Sequence, residues 1–556
     1  MKGFSIREFA CIARSRRGFA LAYLLFLLGI GIGYISITPP FEGFDETAHY
    51  SSLREIADTG RIPVLGKSYL DQSVVDYQGP MPYETGNPPF DRRLVYPKFF
   101  ARPDLVAHFQ QYYRRPSPHL AFRPSGESNW QAQHPPLYYL LLAQVLRGLD
   151  GLSFTAQFFV LRLISFVFAV VGVAFGLAAV NRPDSPPERN PAVIGFVLYL
   201  IVLPMFFPAF ARIGNDSLCL LLAGVTAWLL AGWLKNDRDP GKALAIGVVL
   251  GLGLLTKAFF LPITVALGIF LAIRLWRDGK SPTLGERLRS TAYLFLAAVL
   301  VGGGWYAYKL VTYGDLTGAE DAVQLARQGG IVAGFERHFS LFQLVRGALM
   351  PLASYQWIGT WSVTRLPEIY QVPMAALAGW IVIAYARQLA RRPLGDPAWL
   401  PVWMFALFLA GLFWHTVTYI ALYGLGSTGG WYLHILMPWA APALGLGIAS
   451  IVAYRRARPV FAALLIYAFA FHAFALWAQV ALFTGCATKG DNKYYVFSGN
   501  ALCFDQTSLI MDRLAVLGYP VLAILGFSLG LACLAWSLLQ IGRGVADASL
   551  SAPARP

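Results

Sequence analysis

Long apolar runs broken by short basic stretches constrain this chain more than any other feature. Leu21 to Ile37 carries no charged side chain, and comparable runs recur almost to the end of the sequence. A helix needs about 20 apolar residues to cross the hydrocarbon of a bilayer. On that measure the runs predict twelve crossings, near 18–38, 154–180, 191–209, 217–234, 243–256, 258–276, 290–310, 371–387, 399–424, 431–453, 459–483 and 514–540. The chain is 56% hydrophobic and only 13% charged, with a mean hydropathy of +0.51. Soluble domains average about 25% charged residues. Bilayer is therefore the expected solvent.

The net charge of +15 raises nucleic acid as a partner. The placement of the charge argues for topology instead. Lys and Arg gather in 181–191, 235–242, 277–289, 387–397 and 454–459, between alternate runs. Positive loops stay on the cytoplasmic side. Both termini come out cytoplasmic, Cys11 with them, and no nucleic-acid partner is expected. The first run lacks a good cleavage site, because Thr38-Pro39-Pro40 follows it, and it reads as an uncleaved span.

Residues 136–149 are too short to span comfortably. Read as a crossing, they give thirteen spans and place the later basic loops outside. Read as an interfacial helix on the outer face, they leave the charge pattern intact. Two outer segments are large. Residues 39–135 hold ten Lys/Arg and eleven Asp/Glu, with many Pro, Tyr and Phe, and predict a folded cap. Within it FDETAHYSSLREIADTG reads as a helix stopped by Gly60. Residues 311–370 include an amphipathic stretch, LFQLVRGALMPL, suited to a membrane surface. The organisation is thus a cytoplasmic 1–17, a module 18–310 containing the cap, the loop 311–370, a module 371–540 and a tail 541–556. Cys486 and Cys503 flank one polar loop, 484–512. On the outer side they fit a disulfide; two free thiols are the other reading.

Polar groups converge on the outer ends of the runs. Asp45 and Glu46 are adjacent carboxylates directly above the first run, with His49 one turn on. Mutual repulsion and nearby hydrocarbon raise a carboxyl pKa and make a better base. A helix cap at Asp45 and a first-turn carboxylate at Glu46 fit the doublet equally well. Gln133-His134-Pro135-Pro136 opens the short helix. Arg212 and Asn215-Asp216 occupy an outer turn. Lys257 interrupts GLGLLTKAFFLPI, either as a snorkelling lysine or as a phosphate ligand. His415 and His434 sit at the outer ends of late runs, as hydrogen-bonded core residues or as pocket lining.

In this order FDETAH, QHPPLYY, RIGNDSL and GLGLLTK resemble the GT-C glycosyltransferases: the dolichyl-phosphate-mannose protein mannosyltransferases, the lipid A aminoarabinose transferase and a further bacterial branch. The resemblance covers residues 18–310 and, weakly, the loop to 370. It implies an all-α polytopic fold with a large first periplasmic loop. It also implies a sugar donor on a polyprenyl phosphate, used without nucleotide on the periplasmic side of a bacterial inner membrane. The acceptor would be a glycan, a lipid or a protein. Asp45 would stand at the catalytic-carboxylate position with Glu46 beside it, and transfer would invert the anomeric centre. His134 would fall on the HPP motif, Asp216 on the second acidic position, and Lys257 on a phosphate contact, with Arg212 a further phosphate candidate. Apart from the resemblance, His49, His415 and His434 are candidate donor-binding residues by their position alone. Asp216 lies in Asn-Asp-Ser rather than in a D-x-D pair, so no divalent metal or other cofactor is indicated. A periplasmic polymerase or ligase, a lipid-sugar flippase and a purely structural membrane protein remain as rivals.

Overall fold

The computed structural model describes residues 16–83, 90, 94–116, 121–181, 185–277, 279, 281–489 and 502–550. Cys11, most of the loop between Cys486 and Cys503, and the end of the tail lie outside them. The chain is an α-helical polytopic membrane protein. Among the described residues ten helices are long and apolar enough to cross a membrane, and two shorter apolar helices, Pro191–Val202 and Pro240–Leu254, fall on two further predicted crossings.

The elements that matter for the site are these, in chain order. Helix α1 is Arg16–Ile37 and α2 is Glu46–Thr59. Strand β1 (Tyr69–Asp71) pairs antiparallel with β2 (Pro124–Ser128) in the cap. There follow α3 (Leu137–Gly148), α4 (Phe154–Val180), α5 (Pro191–Val202), α6 (Asp216–Trp233), α7 (Pro240–Leu254), α8 (Phe260–Arg277) and α9 (Leu284–Tyr313). The later part holds α10 (Leu341–Gln356), α11 (Glu368–Leu389), α12 (Leu400–Tyr423), α13 (Met437–Val452), α14 (Arg458–Phe483) and α15 (Pro520–Leu550).

Local sequence starts and stops these helices. Asn190 accepts from Ala192 N at 3.1 Å with Pro191 at the first helical position, and Asp239 accepts from Gly241 N at 3.0 Å with Pro240 next. Each pairs a capping oxygen with a proline whose missing N–H costs nothing there. Gly60 ends α2 in the left-handed region, at φ 70°, where glycine is unstrained.

Two predicted crossings are revised. The run 191–209 breaks at Leu203-Pro204 into α5 and a short helix, Phe206–Phe210, because Pro204 cannot continue the ladder. The run 514–540 begins instead at Pro520, after a separate helix Thr507–Leu517 ended by Gly518, and it continues to Leu550. The strand pair in the cap is an addition to the expected short helices. LFQLVRGALMPL is helical within α10, and Leu341, Phe342, Val345, Leu349 and Leu352 are exposed along it. Residues 137–148 form one helix, α3. Cys486 and Cys503 are joined as a disulfide, Cα atoms 6.2 Å apart.

Helix pairing draws distant parts of the chain together: α1 with α15, α4 with α6, α5 with α13, α7 with α9, α8 with α12. The α1–α15 contact is backbone to backbone. A Cβ added at Gly29 would stand 2.8 Å from both Gly526 O and Gly530 N. Small residues four apart permit such an approach where hydrocarbon offers no hydrophobic drive.

Three of the basic loops, 235–242, 277–289 and 387–397, meet at one end of the bundle. Asp237 accepts from Arg274 at 3.3 Å and Arg287 at 2.7 Å, Gly395 packs on Arg274, and Gly544 packs on Glu188. Asp216 opens α6 at the other end, and 18 residues at about 1.5 Å each separate it from the basic loop that follows by roughly 27 Å.

Candidate active site

The corner between α1 and α2 is held by a buried arginine from α4. Arg162 donates to Thr38 O at 2.5 Å and Pro39 O at 2.7 Å, and forks onto Glu46 with Nε at 2.7 Å and Nη2 at 2.6 Å. Glu46 also accepts from Ile213 N at 2.9 Å and Gly43 N at 3.0 Å. With every lone-pair direction engaged and no exposed surface, Glu46 is a strut between three segments.

Asp45 behaves differently. It sits at the N-cap of α2, yet its side chain makes no capping bond, and its backbone is left-handed at φ 60°. That conformation costs a non-glycine residue energy, and such residues cluster at functional sites. The carboxylate instead accepts from Trp130 Nε1 at 3.0 Å. Burial pushes its pKa up, opposed by the Trp130 hydrogen bond and by the charges of Arg212 and Lys257.

Those cations are fixed through one acid. Asp216 accepts from Lys257 Nζ at 2.6 Å and pairs with Arg212, which also donates to Phe44 O. Lys257 lies 4.4 Å from the Phe259 ring centre and 4.7 Å from that of Tyr432. The turn carrying Lys257 is tied to α3, because Leu137 N donates to Leu255 O at 3.0 Å. Two neutral histidines complete this side. His49 Nδ1 shares a hydrogen bond with Tyr139 OH at 2.8 Å, and its ring lies 6.4 Å from that of His134. Burial and neighbouring cations push both imidazole pKa values well down.

Aromatic rings wall the recess. Phe44 stacks on Trp431 at 4.1 Å with planes 2° apart, and Trp361 meets Phe44 edge-on at 5.2 Å. The 360–362 turn is anchored by Glu42, which accepts from Tyr96 OH at 2.5 Å, Thr360 at 2.6 Å and Ser362. Gln131 Oε1 and Asn215 Oδ1 are buried without a hydrogen-bond partner among the described residues.

Residues 133–306 match the sequence model of the family described as dolichyl-phosphate-mannose-protein mannosyltransferase. That stretch runs from the Gln133-His134 corner through Arg162, Arg212, Asp216 and Lys257, and the match supports the GT-C glycosyltransferase resemblance there. No protein of curated function matches the chain significantly. Among solved structures, ArnT from Cupriavidus metallidurans, bound to undecaprenyl phosphate, is similar at 15% identity, with 96% of this chain and 78% of that chain covered and a TM-score of 0.42.

The structure therefore gathers Asp45, His49, His134, Arg212, Asp216 and Lys257 from positions spread over the first half of the chain. His434 is fully buried nearby but bonds Tyr199 OH at 2.9 Å rather than any of these. His415 faces elsewhere, 3.4 Å from Asp321 and 3.2 Å from Thr428. Arg162, Trp130 and Glu42 escaped the sequence reading. A lone arginine inside the apolar run 154–180 was the available signal for the first.

Proposed function

We propose that this chain is an inverting glycosyltransferase that takes its sugar from a polyprenyl-phosphate carrier. The observation that carries the proposal is Asp45: a helix-start aspartate that leaves its helix uncapped, accepts a strained backbone and holds its carboxylate on Trp130 within the field of two fixed cations. The prenyl-phosphate carrier follows from the family matched by residues 133–306, whose name specifies a sugar held on such a lipid.

The chemistry balances with groups present. Asp45, its pKa raised, takes the proton of an acceptor hydroxyl. The freed oxygen attacks the anomeric carbon, and the bond from that carbon to the phosphate oxygen breaks on the opposite face. The lipid phosphate leaves with the electron pair, and Lys257 and Arg212 face the charge it gains. Glu46, clamped by Arg162, positions Asp45. Neutral His134 offers one donor and one acceptor to sugar hydroxyls, and His49, its Nδ1 held by Tyr139, offers Nε2. Trp361 and Trp431, backed by Phe44, supply apolar surface for the ring.

The recess lies at the bundle end opposite the basic loops. With those loops cytoplasmic, it opens on the outer side, the periplasm of a bacterial inner membrane. The exposed apolar face of α10 then rests on that membrane surface. Release of polyprenyl phosphate from lipid-linked sugars by purified protein is the direct test. Turnover by Asp45→Asn protein close to that of wild type would end the assignment of the base.

A further inference from the structure

Lys257 and Arg212 share one carboxylate. Lys309, near the outer end of α9, has none. It is 1% exposed. Its ammonium stands 4.9 Å from the Trp305 ring centre and 4.8 Å from that of Tyr313. Among the described residues no carboxylate lies within ion-pair distance of it. The acids next in sequence are engaged elsewhere. Asp315 accepts from Thr317 N at 2.9 Å and Gly318 N at 2.8 Å, and Glu320 accepts from Gln324 at 3.1 Å. Two aromatic faces offset only part of the cost of withdrawing an ammonium from water. A second unsatisfied donor is close by in the same helix. Trp305 Nε1–H is buried without a hydrogen-bond partner among the described residues.

The surroundings hold this lysine in place. Gly318, at φ 59°, packs so closely on the lysine stem that a Cβ there would stand 2.6 Å from Lys309 Cδ. The same turn reaches the recess, since Glu320 N donates to Gln133 Oε1 at 2.8 Å, one residue before His134. His134 feels the charges of both Lys257 and Lys309. Two cationic stations therefore flank one histidine, one neutralised by Asp216 and one open.

We propose that Lys309, with the indole N–H of Trp305, is a phosphate-binding site that receives the headgroup of the lipid carrier. This rests on the glycosyl-transfer reading above and refines where the donor phosphate is held. An anionic phosphate supplies the counter-charge that the fold withholds from Lys309, and it accepts from the unpaired indole. The sugar on that phosphate then extends past His134 toward Asp45.

Binding without turnover tests it. Undecaprenyl phosphate and the uncharged undecaprenol are added separately to wild-type, Lys309→Met and Lys309→Arg protein, and thermal stability and affinity are followed. Wild type is expected to prefer the phosphate. Lys309→Met is expected to lose about tenfold or more of that preference while binding undecaprenol as before, and Lys309→Arg to retain most of it. Without lipid, Lys309→Met melts no lower than wild type, because it removes an uncompensated buried charge. Undiminished phosphate preference in Lys309→Met overturns the site while leaving the transfer reading intact. No preference in wild type overturns both. Inorganic phosphate binding as tightly as the lipid, and depending on Lys309, would reassign the site to a soluble anion and overturn the headgroup assignment.

Discussion

The two ends of the helix bundle use the same ionic chemistry for different purposes. At the basic end Asp237 gathers Arg274 and Arg287, with side chains 16%, 20% and 9% exposed. At the other end Glu46 and Arg162 form a pair 0% and 2% exposed, and Asp216 with Lys257 one 5% and 7% exposed. Water reaches the first cluster more than the second, so it contributes less stability while its charge fixes orientation. The second group is desolvated. Each charge there depends on its partner, and the geometry is rigid for that reason. A dry ionic frame holds Asp45, a largely buried carboxylate that forms no salt bridge among the described residues.

Asp45 gives the sharpest test of that contrast. Asp45→Asn is expected to lower turnover by about 10³-fold, in line with loss of a general base. Its melting temperature should not fall. The pKa of Asp45 is raised in the fold, so the protonated form is the one folding favours; that stability is present below the ordinary carboxylate range and is lost as pH rises through the elevated value. Replacing the charge removes that penalty at neutral pH. Wild-type activity should climb over the same interval in which stability declines. A pH–rate profile flat across it would break the link.

Arg162→Met comes next. It leaves Glu46 buried and unpaired, with an expected cost of about 3–5 kcal/mol. Denaturation in detergent reads this directly, and an unchanged midpoint would mean the frame is not dry. Trp431→Leu removes the ring stacked on Phe44, worth about 0.5–1.5 kcal/mol beyond its buried area. A rise in KM with little change in kcat is the expected signature of a sugar platform. Asp237→Asn should be the mildest, within about 1 kcal/mol, and further reduced by added salt. A larger, salt-independent loss would erase the distinction between the ends.

Periodicity and local chemistry carried much of this architecture. Apolar length marks the long helices, Gly60 marks the end of α2, and the motifs around Asp45, His134, Asp216 and Lys257 mark four corners that the fold unites. What stayed hidden depends on pairing across the chain. Glu42 meets Thr360 and Ser362 over more than three hundred positions, and Phe44 meets Trp431 over a still longer gap. No periodicity within a run encodes such meetings. Arg162 was hidden for another reason: within an apolar run a charge registers only as an insertion cost, and its clamp on two carbonyls and Glu46 appears once α1 and α4 are side by side.

The glycine-lined seam between α1 and α15 bears on how the molecule is made. The hinge bearing Asp45 is translated well before the helix that braces its stem, and Tyr519 N closes onto Ser36 O at 2.9 Å to complete the joint. A ribosome-bound intermediate lacking that brace would hold an unsupported hinge, so competence should arrive abruptly once α15 has been made rather than accumulate helix by helix.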